Sequence, residues 1–90
     1  MPTLLLPMPL RPYADNQRAV QVKGRTVREA LQDLVDQYPR LKPHLFNGEG
    51  RLQPYIHVFL NGEDVRSLQG VDTPLEENAE LRILPSIAGG

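Results

Sequence analysis

The chain has 90 residues, 40% hydrophobic and 23% charged, a balance typical of one small folded domain and not of a disordered segment. Ten basic and eleven acidic side chains leave a formal charge of −1, so no basic surface for nucleic acid is expected, and the absence of cysteine excludes disulfides and thiolate chemistry. No run approaches about 18 apolar residues and no signal peptide is evident, so we expect a soluble, cytoplasmic protein that does not bind membranes.

The first half of the chain predicts a β-hairpin followed by one amphipathic helix. Residues 3–8 are apolar and extended, a polar loop covers residues 10–17, and residues 18–22 alternate as a second strand. Thr26 is the predicted N-cap of the helix, because Glu29 follows three residues later as in a capping box, and Pro39 ends it. The apolar stripe of this helix has i, i+3, i+4 spacing and consists of Val27, Ala30, Leu31, Leu34, Val35 and Tyr38.

The second half predicts further strands. Residues 41–53 are irregular, residues 55–60 form a strong strand, and Asn61-Gly62 predicts a tight type I′ turn. A short return strand is expected to begin at Val65, and residues 80–85 form the last strand. This order predicts an α+β fold, a β-grasp (ubiquitin-like) roll, in which a mixed sheet packs one main helix on one face. If the first and last strands are central, they run parallel.

The last two residues, Gly89 and Gly90, indicate chemistry at the C-terminus. Without Cβ atoms they can thread a narrow channel, and Gly90 carries the terminal carboxylate. We therefore divide the chain into a domain over residues 1–85 and a flexible tail over residues 86–90, which also contains Ser86, Ile87 and Ala88. Fully extended, this tail could reach about 17 Å at roughly 3.3–3.6 Å per residue, enough to enter a partner's active site.

Strand alternation also predicts a docking surface on the outer face of the sheet. If Val58 and Ile83 face the helix, the neighbouring residues Phe59, Leu84, His57 and Arg82 face outwards near the tail. An exposed apolar patch there would bind a partner, whereas the plainer alternative is a set of ordinary half-buried sheet residues. Arg11, Arg66 and Arg82 could add polar contacts at its rim.

No constellation of side chains in the sequence predicts catalysis. His44 and His57 have neither cysteine nor a carboxylate cluster at metal-ligand spacing, so no metal site is expected. Glu76-Glu77 reads as a solvated turn, and neither a Ser-His-Asp set nor a phosphate-binding loop is present. The sequence therefore predicts a protein with no catalytic side chains and no bound cofactor.

Three stretches of the chain carry a resemblance to a known family. They are Leu84-Pro85-Ser86-Ile87-Ala88-Gly89-Gly90, Asn61-Gly62-Glu63-Asp64-Val65-Arg66 and Leu10-Arg11-Pro12-Tyr13. The chain resembles the ubiquitin-like sulfur carriers of the MoaD, ThiS and CysO type, and the last two stretches are most similar to the CysO branch. The resemblance implies that a MoeB/ThiF-like activating enzyme uses ATP to adenylate the Gly90 carboxylate. A sulfur donor protein would then displace AMP and leave a thiocarboxylate.

The resemblance also implies an acceptor synthase that receives the sulfur. This synthase would be cysteine synthase-like or the large subunit of molybdopterin synthase, and in the cysteine branch a zinc-dependent protease would trim the product. Cysteine synthesis is favoured, while molybdopterin, thiamine and tRNA thiolation stay open. Two other classes of function also stay open: a ubiquitin-like modifier joined to lysines through the same adenylate, and a plain β-grasp interaction domain with an idle tail.

Overall fold

Five strands form one mixed sheet that carries the helices on one face. The computed structural model describes residues 1–85, and the predicted tail, residues 86–90, lies outside this range. The strands are β1 (Thr3–Leu5), β2 (Ala19–Gln21), β3 (Ile56–Leu60), β4 (Glu63–Asp64) and β5 (Glu80–Pro85). Their order is β2-β1-β5-β3-β4, with β1 and β5 parallel and the other neighbours antiparallel. The fold is the predicted β-grasp roll, with the first and last strands adjacent near its centre.

The main helix, α1 (Val27–Gln37), begins at the predicted cap. The Thr26 hydroxyl accepts a hydrogen bond from the Glu29 N–H at 3.2 Å, and the Glu29 carboxylate accepts one from the Arg25 N–H at 2.8 Å. The Glu29 side chain therefore completes the capping box with the N–H of Arg25, the residue before the N-cap. The helix stops at Gln37, two residues before Pro39, as the proline predicts.

The core lies between α1 and the inner face of the sheet. The predicted apolar stripe of α1 supplies five buried residues, and its sixth member, Tyr38, is half-buried at the edge of the core. At roughly 1.5–3 kcal/mol for each buried aliphatic side chain, this contact is the main source of stability. The sheet side of the core is formed by Leu4, Val20, Ile56, Val58, Leu81 and Ile83.

Two connecting segments are more ordered than predicted. A 3₁₀ helix, Met8–Ala14, occupies part of the predicted polar loop, since Leu10 and Ala14 are buried in the core. Another 3₁₀ turn, Pro39–Leu41, leads directly into the short helix α2 (Lys42–Leu45) within the stretch predicted to be irregular. The physical reason is again burial, because Leu41 and Leu45 are fully buried.

The predicted turn between β3 and β4 is present, and the return strand is displaced. Asn61 and Gly62 have φ of 50° and 90°, as a type I′ turn requires at both central positions. β4 then starts directly after the turn, whereas Val65, the expected start of the strand, opens a 3₁₀ turn. Val65 is buried, so the chain bends inwards there. No helix within residues 1–85 is long and apolar enough to cross a membrane.

Candidate functional site

The pairing of β3 with β5 brings the four predicted surface residues into one patch. His57 lies opposite Leu84, and Phe59 lies opposite Arg82. Strand neighbours alternate between faces, and the intervening Val58 and Ile83 are 2% and 0% exposed in the core, so the four side chains lie on the face away from α1. We call His57, Phe59, Arg82 and Leu84 the outer patch.

The outer patch has an apolar part and a charged part. Leu84 is 39% exposed. Within residues 1–85, no other large hydrophobic side chain that belongs to a strand is as exposed. His57 and Phe59 are half-buried, and the Arg82 guanidinium lies 3.7 Å from the Glu80 carboxylate. An apolar side chain surrounded by polar groups on a sheet face is a physically reasonable binding surface.

The sequence argument missed Leu5, which extends the outer patch onto β1. Leu5 is half-buried and lies opposite Arg82 in the parallel pairing of β1 with β5. Residues 4–6 are all leucine, so no alternation of polar and apolar residues marks the outward one. In the sequence, one signal could have indicated Leu5: the predicted central position of the first strand, which places it beside the last strand.

His57 differs from an ordinary exposed histidine. Its Nδ1 atom is buried and has no hydrogen-bond partner among residues 1–85. A buried polar atom without a partner lowers stability, because it has lost its hydrogen bonds to water. This atom is therefore the least satisfied polar group that we find in the outer patch.

The Asn61–Arg66 stretch of the predicted resemblance has a structural role. After the type I′ turn, the Asp64 carboxylate accepts a hydrogen bond from the Arg66 N–H at 2.9 Å and another from the Arg66 guanidinium at 2.9 Å. The hydrogen bonds from Arg66 lower the pKa of Asp64 below its ordinary value, and the same pair raises the pKa of Arg66. Arg66 is thus held by its own hairpin and is a weak candidate for a rim contact.

The Leu10–Tyr13 stretch mainly anchors the first 3₁₀ helix. Leu10 is buried, and the Tyr13 ring stacks on His44 with 4.0 Å between ring centroids. The Arg40 guanidinium lies 5.6 Å from the centre of the same ring, within the range of a cation–π contact. Arg11 is the exception, since it faces the cleft beside β5.

The predicted tail residues, Ser86, Ile87, Ala88, Gly89 and Gly90, lie outside the described residues. β5 ends at Pro85, which is paired with Ile56, so Leu84 and His57 flank the position from which the tail continues. Within residues 1–85, no three His, Asp or Glu side chains are grouped as metal ligands would be. The geometry therefore places the half-exposed outer patch next to the last described residues of the chain.

Comparison with known proteins identifies the family. The model of the ThiS family matches residues 4–90, which is nearly the whole chain. The chain belongs to the ThiS family. It is 31% identical over 90 residues to the sulfur carrier protein CysO of Mycobacterium tuberculosis, and the match covers 98% of this chain and 97% of the relative. The predicted resemblance to ubiquitin-like sulfur carriers is thereby confirmed.

Solved structures of ThiS-family relatives and ubiquitin-like modifiers share the fold. A chain in the crystal structure of the Amycolatopsis orientalis BexX/CysO complex matches with a TM-score of 0.90, 33% identity and full coverage of both chains. Small archaeal modifier protein 1 of Methanosarcina acetivorans also has a TM-score of 0.90, at 30% identity, with 99% of this chain and 95% of that chain covered. The chain is thus similar both to sulfur carriers and to protein modifiers. These relatives are a sulfur carrier protein and a small modifier protein.

Proposed function

We propose that this protein carries sulfur as a thiocarboxylate on the C-terminal carboxylate of Gly90. The observation that supports the proposal best is the position of Leu84. This exposed apolar residue lies on the outer patch one residue before the end of β5, and the ThiS family match continues through the Gly-Gly end. A partner that covers the outer patch would be positioned to receive the tail.

The proposed chemistry overcomes the low reactivity of a carboxylate. A terminal carboxyl group has an ordinary pKa of about 3.3–3.7, so it is ionised near neutrality and resists nucleophiles. Attack of the Gly90 carboxylate on the α-phosphorus of ATP forms a carboxyl–AMP anhydride and releases pyrophosphate. A hydrosulfide equivalent then attacks the carbonyl carbon, the C–O bond to AMP breaks, and AMP leaves with the electron pair. Sulfur now occupies the position of one carboxylate oxygen.

In this proposal every catalytic side chain belongs to a partner. ATP would be bound by a MoeB/ThiF-like activating enzyme, and the hydrosulfide equivalent would come from a sulfur donor protein. The thiocarboxylate is a sulfur nucleophile, which explains how a chain without cysteine can deliver reactive sulfur. The relative in complex with BexX offers a precedent for a carrier of this fold bound to another protein. The use of ATP and of reduced sulfur implies a cytoplasmic protein.

Cysteine synthesis is the acceptor pathway that we favour, since CysO relatives match over the full chain. The acceptor would then be a cysteine synthase-like enzyme, followed by a zinc-dependent protease that releases the product. Molybdopterin, thiamine and tRNA thiolation are the competing destinations. To separate these pathways, a deletion strain is grown with added cysteine, thiamine or the products of the other competing pathways. Rescue of growth by cysteine alone supports the favoured pathway.

The decisive test is the intact mass of the full chain after incubation with a family activating enzyme, ATP and sulfide. Exchange of oxygen for sulfur adds about 16 Da, as a covalent modification at the terminus. Deletion of Gly90, or addition of one alanine after it, should abolish the gain without changing the folded state. No gain with any activating enzyme of the family would rule the proposal out. Unfolding of the two tail variants would show that tail and domain are not separable.

A second candidate function is protein modification, favoured by the equally close fold match to an archaeal modifier. The same adenylated Gly90 would then be attacked by a lysine amine, giving an isopeptide bond and AMP. Mass spectrometry of trypsin-digested cell extract would reveal lysines that carry the remnant of residues 83–90 if this occurs, because Arg82 is the last tryptic site in the chain. Their loss in a Gly90-deletion strain would assign them to this protein. A plain interaction domain predicts instead that the deletion strain behaves as wild type.

A further inference from the structure

A tight loop between α2 and β3, residues 47–51, is held in place at both ends. The residues that flank it, Phe46 and Leu52, form an isolated bridge with each other and pack against the core. The Asn47 N–H also donates a hydrogen bond to the Arg51 carbonyl across the loop, at 2.7 Å. The loop therefore has a defined shape, although most of its residues are exposed.

The side-chain oxygen of Asn47 accepts hydrogen bonds from two backbone groups of this loop. The Glu49 N–H donates to Asn47 Oδ1 at 2.8 Å, and the Arg51 N–H donates to the same atom at 3.1 Å. Two donors on a carbonyl oxygen draw electrons from the attached carbon and stabilise negative charge that develops on the oxygen. The side-chain amide carbon of Asn47 is therefore more electrophilic than that of an asparagine in water.

Gly48 places a nucleophile next to this carbon. A bond from the Gly48 backbone nitrogen to the Asn47 amide carbon closes a five-membered ring, and a glycine hinders this attack least because it has no Cβ. Gly48 is exposed, and a Cβ built on it would meet nothing within 4 Å, so water reaches the nitrogen. Of the four asparagines in the sequence, only Asn47 and Asn61 precede a glycine.

Asn61, the other asparagine that precedes a glycine, is held by a neighbouring strand. Its Oδ1 atom accepts a hydrogen bond from the Glu80 N–H at 3.0 Å, and its own N–H donates to the Glu80 carbonyl at 2.8 Å. Closure of a ring with the Gly62 nitrogen turns the side chain and so costs the hydrogen bond to β5. At Asn47, by contrast, both donors belong to the reacting loop and move with it. The fold therefore protects Asn61 and activates Asn47.

We propose that Asn47 is a self-modification site, at which the folded protein converts its own side chain to aspartate or isoaspartate. The Gly48 nitrogen gives its proton to water and attacks the amide carbon. The negative charge that forms lies on Oδ1, where the two N–H groups donate. The bond to the amide nitrogen then breaks, and this nitrogen takes up the proton and leaves as ammonia. Water opens the remaining succinimide ring at either carbonyl, so one water is consumed for each ammonia released.

The two products change the loop to different degrees. Aspartate leaves the main chain as it was, and its carboxylate can accept the same two hydrogen bonds. Isoaspartate adds one carbon to the main chain between residues 47 and 48 and therefore disturbs the loop. Either product is ionised near neutrality and changes the formal charge of the chain from −1 to −2.

A first experiment compares the two asparagines within the same molecule and needs no activating enzyme, so its outcome is independent of the proposed function. The full chain is incubated near neutral pH, folded or in urea, and samples are digested with trypsin. Because trypsin does not cleave between Lys42 and Pro43, Asn47 lies in the peptide 41–51 and Asn61 in the peptide 52–66. Mass spectrometry measures the fraction of each peptide that has gained about 1 Da.

In the folded chain we expect Asn47 to convert roughly tenfold faster than Asn61, and roughly threefold faster than Asn47 does in urea. Water competes for the oxygen in an exposed loop, so this gain is smaller than the roughly 10²–10³-fold that one such donor contributes in an enzyme. In urea the two sites should convert at similar rates. Equal rates at the two sites in the folded chain, or a folded Asn47 no faster than in urea, would overturn the proposal.

Two variants separate ring closure from the effect of the donors, with Asn61 as the internal control in each sample. Gly48→Ala hinders the attack but fits the loop, so conversion at Asn47 should fall roughly tenfold. Gly50→Val keeps Asn47 and Gly48 but forces residue 50 away from its φ of 79°, which displaces the Arg51 N–H. Its rate at Asn47 should fall to the rate in urea. Urea unfolding confirms that both variants fold, and unchanged conversion at Asn47 in either one would contradict the proposal.

Discussion

Leu84 lies directly opposite His57 in the pairing of β5 with β3, on the face of the sheet away from α1. The two side chains differ in exposure: Leu84 is 39% exposed, while the Nδ1 atom of His57 is buried without a partner among residues 1–85. This pair lies next to the last described residues, so under the proposed function a protein that receives Gly90 would approach it. The pair is therefore the part of the outer patch where substitutions should separate docking from folding.

Leu84→Ser should weaken adenylation without unfolding the domain. Truncation of a central apolar contact typically costs more than 1 kcal/mol of binding, so we expect KM for the carrier to rise roughly five- to tenfold. Leu68→Ser is the matched control, since Leu68 is 40% exposed and lies outside the outer patch. Both variants should lose about 1 kcal/mol or less of unfolding free energy. An equal rise in KM for the two variants would contradict a docking role for Leu84.

The elements predicted best are those whose signals are local. Thr26 and Glu29 define the start of α1, and Asn61-Gly62 defines the hairpin turn, because each needs only a few neighbouring residues. The strand over residues 80–85 was predicted with its observed bounds. The conditional prediction that the first and last strands lie centrally and run parallel is confirmed. The opposition of Leu84 and His57 was not predicted, because it depends on the register of β3 against β5.

The missed elements depend on contacts distant in sequence. The 3₁₀ helix Met8–Ala14 contains two prolines and is ordered by burial of Leu10 and Ala14, which no local pattern indicates. The placement of Arg18 and Arg82 at one small cleft likewise requires the register of β2, β1 and β5. The chemistry assigned to Gly90 stays a prediction from the sequence and the family, because the tail lies outside the described residues.

Leu34→Ala should strongly destabilise the domain. Leu34 is fully buried in α1 against the sheet, and truncation of such a leucine costs about 2–5 kcal/mol by loss of burial and creation of a cavity. Gln32→Ala, on the exposed side of the same helix, removes only a hydrogen bond to Asp36 and should cost about 0.5 kcal/mol or less. Urea unfolding measures both. Similar losses would mean that α1 does not form the centre of the core.

The Asp64–Arg66 pair should make a small contribution to stability that depends on pH. The pKa of Asp64 is lowered in the folded state, so its stabilisation is present above the ordinary value of 3.8 and is lost as pH falls through the folded value. Both groups are partly or largely exposed, so screening by solvent keeps the contribution of this pair small.

Unfolding free energies of wild type and Asp64→Asn should therefore differ at about pH 7 and converge as the pH falls below 3.8 and through the lowered pKa of folded Asp64. Arg66→Gln provides the control, because Asp64→Asn should have less effect once Arg66 is gone. A difference that stays constant down to about pH 2 would show that the carboxylate charge is not its source.

Gly24→Ala should destabilise the junction between β2 and α1. A Cβ on Gly24 would lie 2.6 Å from the Ala30 nitrogen and 2.9 Å from the Glu29 carbonyl carbon, and these backbone atoms cannot rotate away. We expect a loss of about 1–3 kcal/mol, as for other overpacked sites. Gly48→Ala is the control: its Cβ would meet nothing within 4 Å, so the change should be neutral or stabilise by up to about 1 kcal/mol. Equal urea midpoints for the two variants would show that the stability of this junction does not depend on close packing at Gly24.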